Sequence, residues 1–128
     1  MKSSALTTLA VLTWMALPAQ AASPLEYAQA KTLADQDEAS LSAEQRKALT
    51  SSQETLLASG TAACATPNPD FSPLVLVTEL DAQGKVVRTW LQGNSPLAIC
   101  LRKYAASQSL AAPPRAPFYT FIELSFTP

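Results

Sequence analysis

Two cysteines, Cys64 and Cys100, constrain this chain more than any other feature, because they stand 36 positions apart in a sequence that begins like an exported one. Lys2 is followed by an apolar stretch from Ala5 to Leu17, Pro18 breaks it, and Ala19-Gln20-Ala21 has the small-x-small form that signal peptidase cuts. The pattern predicts a cleaved signal over residues 1–21 and a periplasmic mature protein. The apolar stretch is far shorter than the roughly 20 residues needed to span a bilayer, so no stable membrane insertion is expected after cleavage. In an oxidising compartment a lone pair of cysteines forms a disulfide. A redox-active pair favours C-x-x-C spacing, which is absent here, so the bond is expected to be a structural staple.

Cleavage leaves enough chain for one small domain with a single core. Lys2 leaves with the signal, so ten acids face eight bases, and no basic surface remains to neutralise nucleic-acid phosphates. The charge is uneven. Ala22 to Gly60 holds six acids and three bases, whereas Thr61 to Pro128 holds four acids and five bases, which suggests two parts: a polar helical segment over 22–60 and a sheet-containing unit over 61–128.

In the first part, Ser23-Pro24-Leu25-Glu26 has the form of a capping box with proline at the first helical position, predicting a helix from there to about Ala34. Ser42 and Gln45 form a second box, and Gly60 offers a stop after Leu56 and Leu57. The apolar side of this second helix is thin, so it is expected on the domain surface. Residues 22 to about 40 are expected to add little to the core, so that a chain starting near Leu41 would still fold. Asp35, Asp37 and Glu38 lack the glycine and distal glutamate of a calcium loop and read as a solvated linker, with no metal expected.

The second part has sharper grammar. Leu74 to Leu80 and Lys85 to Leu91 are β-rich and flank Asp81-Ala82-Gln83-Gly84, a turn in which Gly84 takes the left-handed position. The first strand is apolar on both faces, as an inner strand is, and Trp90 reads as packing. Ser95 caps a helix with Pro96 at its first position, running to about Ser107, with Leu97, Cys100, Leu101 and Tyr104 on one face. Ala111 to Pro117 crosses in an extended form. Phe118 to Phe126 is the last strand, with Phe118, Thr120, Ile122, Leu124 and Phe126 on one face and Tyr119, Phe121, Glu123 and Ser125 on the other. The fold class is therefore α+β: an N-terminal helical segment, then a ββαβ unit in which one helix backs a three-stranded antiparallel sheet, closed by one disulfide between Cys64 and Cys100.

The order of the "LDAQGKVV" turn, the "GNSPLAIC" helix start, the "LAAPPRAP" crossing and the terminal "FYTFIELSFTP" strand resembles the C-terminal periplasmic domain of TolA, and more distantly that of TonB. The likeness covers about Leu74 to Pro128. It implies a ββαβ arrangement, a disulfide joining the helix to the start of the sheet, and a role in binding envelope proteins without catalysis. The chain departs from the family in having a cleavable signal and a short helical segment where TolA and TonB have a membrane anchor and a long linker. Transmission of inner-membrane energy is therefore not expected. Cys64 also lies further before the first strand than the family pattern suggests.

Catalysis has little to work with. Histidine is absent, and with it the commonest general base and zinc ligand. Three glycines do not make a phosphate-cradling loop, and no serine stands in a nucleophile context. A carboxylate pair such as Glu79 and Glu123 could meet across the sheet as acid and base, but exposed strand glutamates are far more often solvated. The chain is expected to be no enzyme and to hold no cofactor. Two roles fit: a soluble periplasmic module that binds an envelope protein, or an inhibitor or immunity protein that blocks a periplasmic hydrolase or toxin. The last strand is long and poor in charge. If it is an edge it is expected to accept a partner strand, with Tyr119, Phe121 and Glu123 in the binding region; a central position, covered by the N-terminal helices, is the other placement.

Overall fold

The computed structural model describes residues 24–126, together with 10, 11 and 13. The expected signal cleavage site lies outside the described residues. The elements run α1 (Tyr27–Ala39), α2 (Ala43–Ala63), β1 (Leu74–Leu80), β2 (Val86–Gln92), α3 (Pro96–Ala105) and β3 (Phe118–Leu124). The three strands form one antiparallel sheet in the order β2-β1-β3, so the α+β class and the central place of the first strand hold. No described helix is long and apolar enough to cross a membrane.

Local chemistry explains most boundaries. The Ser42 hydroxyl accepts the Gln45 amide at 3.2 Å while the Gln45 side chain accepts the Ser42 amide at 2.9 Å, which starts α2. Ser95 caps α3 by accepting the Ala98 amide at 3.0 Å, with Pro96 next to it. In the hairpin, Asp81 accepts the amides of Gln83 and Lys85, each at 2.9 Å, and Gly84 takes φ +85°, which only glycine adopts without strain. The register slips at Glu79/Leu80, where β2 carries an extra residue.

The first helix differs from expectation. It starts at Tyr27 and ends at Ala39, because the capping pair is Glu26 with Gln29, whose side chain accepts the Glu26 amide at 2.9 Å. Gly60 does not stop α2 either, since the helix continues to Ala63 and Cys64 forms its C-cap. Its hydrogen serves a close approach: a Cβ there would fall 2.9 Å from Leu101 Cδ2 and 3.0 Å from Tyr104 Cδ1. Gly60 is the point at which α2 crosses α3. One turn later, Cys64 is bonded to Cys100 of α3.

Helices cover both faces of the sheet. On one face Leu49 and Leu56 of α2 and Ala98, Leu101 and Ala105 of α3 pack with Leu74, Leu76, Leu80, Phe118 and Ile122. On the other, Ala30 and Ala34 of α1, both fully buried, pack on Val77 and Tyr119, with Leu33, Val75, Trp90 and Phe121 around them. Two expectations are corrected here. The sheet is not backed by one helix alone, and the segment before Leu41 is part of the core. Its low hydrophobicity misled because a helix that docks through alanines needs no wide apolar stripe. On α3 the fully buried residues are Ala98, Leu101 and Ala105, while Leu97, Cys100 and Tyr104 of the expected stripe are only partly buried.

A row of threonines crosses the middle of the sheet, Thr89 opposite Thr78 and Thr78 opposite Thr120. The Thr78 hydroxyl is buried with no hydrogen-bond partner among the described residues. An unpaired buried hydroxyl costs on the order of 1 kcal/mol. Thr78→Val is therefore expected to stabilise the fold by about that amount. Urea unfolding should show a higher midpoint at unchanged slope; a lower midpoint would mean that the hydroxyl is satisfied.

Candidate interaction surface

β3 is an edge strand, and its outer side is already engaged. The Tyr119 amide donates to Asp37 Oδ2 at 2.8 Å, and the Phe121 carbonyl accepts Gln53 Nε2 at 3.1 Å. These are the backbone groups that point away from β1, so side chains from α1 and α2 stand where a neighbouring strand would be. Asp37 also accepts Arg115 Nη2 at 2.8 Å, and Glu38 accepts the Thr120 hydroxyl at 3.0 Å. Of the acids expected to form a solvated linker, Asp37 and Glu38 instead bond to β3, while Asp35 stays exposed and pairs with Lys31. Burial pushes the Glu38 carboxyl above its usual range, although its bond from Thr120 opposes the shift. At the far end of the strand the exposed Glu123 guards the edge by charge.

The expected binding residues are distributed accordingly. Tyr119 is buried beneath α1, its ring 5.9 Å from that of Trp90 and its hydroxyl donating to Glu79 Oε1 at 3.0 Å. Arg88 reaches the same carboxylate oxygen through Nε at 2.9 Å and Nη2 at 2.5 Å. Burial raises the Tyr119 phenol pKa and the bond to Glu79 adds to it, while the bond to Glu79 holds Arg88 more firmly protonated. Phe121 lies under Lys31, whose Nζ is 3.8 Å from the ring centroid. Only Glu123 is exposed. The possible acid–base pair is not assembled, since Glu79 faces Tyr119 whereas Glu123 faces Val75, at the other end of the strand.

β2 is the opposite case. Because Tyr119 and Phe121 point their amides and carbonyls outward, Glu79 and Val77, opposite them, must bond to Arg88 and Trp90. That alternation turns the amides and carbonyls of Thr89 and Leu91 to the outside, where no described residue bonds to them. Only the start of β2 is covered: the Val86 amide donates to the Gln108 carbonyl at 3.0 Å, and the Leu110 amide to Gly84 at 2.8 Å. Beyond that short bridge Val87 is 48% exposed, no proline interrupts the edge, and the one charge on β2, Arg88, is drawn onto Glu79 of β1. Trp90 itself is packing, as expected, with Nε1 donating to the Leu25 carbonyl at 2.8 Å.

Sequence reasoning left the place of the last strand open between edge and centre and did not weigh β2; β3 is an edge, with Asp37 and Gln53 bonded along its outer side. Nothing local marks Asp37 and Gln53 as partners of β3, since more than 60 residues separate each from it. The alternation of Val87, Thr89 and Leu91 without charge was the available signal. No group of described residues has the composition of a metal site. Comparison with protein families, with curated proteins and with solved structures gave no match to the chain.

Proposed function

We propose that this chain is an exported, disulfide-stapled binding module that acts on an envelope protein by pairing one of that protein's extended segments with the outer side of β2. The observation that carries the reading is the contrast between the two edges: Asp37 and Gln53 each take an outward backbone group of β3, at Tyr119 and Phe121, while the outward groups of Thr89 and Leu91 have no partner among the described residues. Main-chain bonds of this kind supply affinity and the flanking side chains supply selectivity. The TolA-like order of turn, helix, crossing and terminal strand supports the envelope setting, and the signal-like N-terminus and the Cys64–Cys100 bond support export. The module needs no chemistry of its own.

Thr89→Pro is the test. Proline removes an outward amide that the fold does not use, so the thermal transition should stay within a few degrees of the parent's. Capture of a periplasmic partner should drop at least tenfold. Unimpaired capture by a folded Thr89→Pro protein would remove β2 from the interface. An activity assay on the captured partner separates a scaffold, which leaves activity intact, from an inhibitor.

A further inference from the structure

At the end of the sheet where β1 begins and β3 finishes, the chain forms a groove of about 620 Å³. Cys64, Pro67, Pro69, Leu97 and Phe126 line it, and Phe71, also in the lining, is 56% exposed, with its ring 5.0 Å from that of Phe126. The volume is in the range of sites that hold a side chain or small ligand. The disulfide anchors Cys64, three prolines at 67, 69 and 96 fix the backbone, and a preformed apolar surface loses little entropy on binding.

Among the described residues, Asp70 is the one charged residue that lines the groove. Its Oδ1 accepts both the amide and the hydroxyl of Ser72, at 3.0 and 2.6 Å, which fixes the carboxylate at the rim and keeps its pKa below the usual range. Oδ2 has no bond from any described residue. Among the described residues, the groove thus joins a largely apolar lining to one negative charge and no cation.

We propose that this groove is a second recognition site, which takes a large apolar side chain, aromatic or leucine, from an extended segment of another protein, with an adjacent lysine or arginine paired to Asp70. The charge arrangement selects this occupant over an acidic peptide. The site lies apart from the outer side of β2 and does not require strand pairing there.

The test uses the whole mature protein, isotope-labelled for NMR, with N-acetyl-Phe-Lys-amide and N-acetyl-Phe-Glu-amide as probes. The lysine peptide should give saturable shifts at millimolar concentration, confined to residues 64–72 and to Leu97 and Phe126. At low salt it should bind about three-fold more tightly than the glutamate peptide, the scale of one exposed charge pair. Asp70→Asn should abolish that preference, and Phe71→Ala should weaken both peptides several-fold with no change in melting, since Phe71 is exposed. Shifts elsewhere, equal binding of the two peptides by the parent, or shifts that follow protein concentration without peptide would each overturn the proposal. Thr89→Pro should bind the lysine peptide as the parent does, so this site and the β2 edge stand or fall separately.

Discussion

A chain beginning at Leu41 will not fold cooperatively. Removing α1 strips the cover from Val77, now fully buried, and Tyr119, now 7% exposed, and uncovers parts of Val75, Trp90 and Phe121. A fully buried side chain of this size contributes roughly 1.5 to 3 kcal/mol. Several of them together reach the whole stability of a small domain, about 5 to 15 kcal/mol. The truncation also leaves the Tyr119 amide and Arg115 without Asp37. The shortened chain should lose its near-ultraviolet dichroism and its sharp thermal transition and should bind a hydrophobic dye. A milder variant, Ala34→Glu, places a charge at a fully buried position and should fail in the same direction. A truncated chain that melted sharply within a few degrees of the parent would show that α1 is an accessory after all.

Reduction of the disulfide should have the next largest effect. The Cys64–Cys100 bond closes a loop of 36 residues, and in the chain-entropy model that loop is worth about 4 kcal/mol. The loop holds β1, the hairpin turn and β2, so the unfolded chain regains freedom over all of these residues when the bond is cut. The native contacts at risk are local: the bond lies one turn beyond Gly60, where α2 and α3 approach too closely for any Cβ. Urea unfolding with and without a thiol reductant, and of Cys64→Ala with Cys100→Ala, measures the loss. Unfolded but unreduced protein should show no reactive thiol. A difference below about 1 kcal/mol would mean that helix packing alone sets this crossing.

The features that the sequence reveals and those it hides divide along a physical line. Caps, turns and strand faces are written in neighbouring residues, so Ser42 with Gln45, Ser95 with Pro96, and Asp81 with Gly84 could all be read directly. The disulfide was legible because only two cysteines were present. Side chains that bridge distant elements left no such trace. Asp37 and Glu38 look like ordinary surface acids until β3 arrives beside them, and Gly60 looks like a helix stop until α3 crosses it. Alanine is the third case: Ala30 and Ala34 carry little hydrophobic signal, yet their small size lets α1 lie close on Val77 and Tyr119. The candidate site was half legible. Edge pairing could be anticipated from a strand poor in charge, but which edge stays open depends on where those bridging side chains end.

Closing one edge and leaving the other open also limits how far pairing can go. A sheet with two open edges can add a copy at each side, and every addition exposes a new edge, which is the geometry of an open-ended fibre. Here a strand accepted by β2 meets a molecule whose far edge is already occupied at Tyr119 and Phe121 by Asp37 and Gln53. Addition is thus a terminating event. Two copies that met through β2 would consume both open edges at once and stop at a pair.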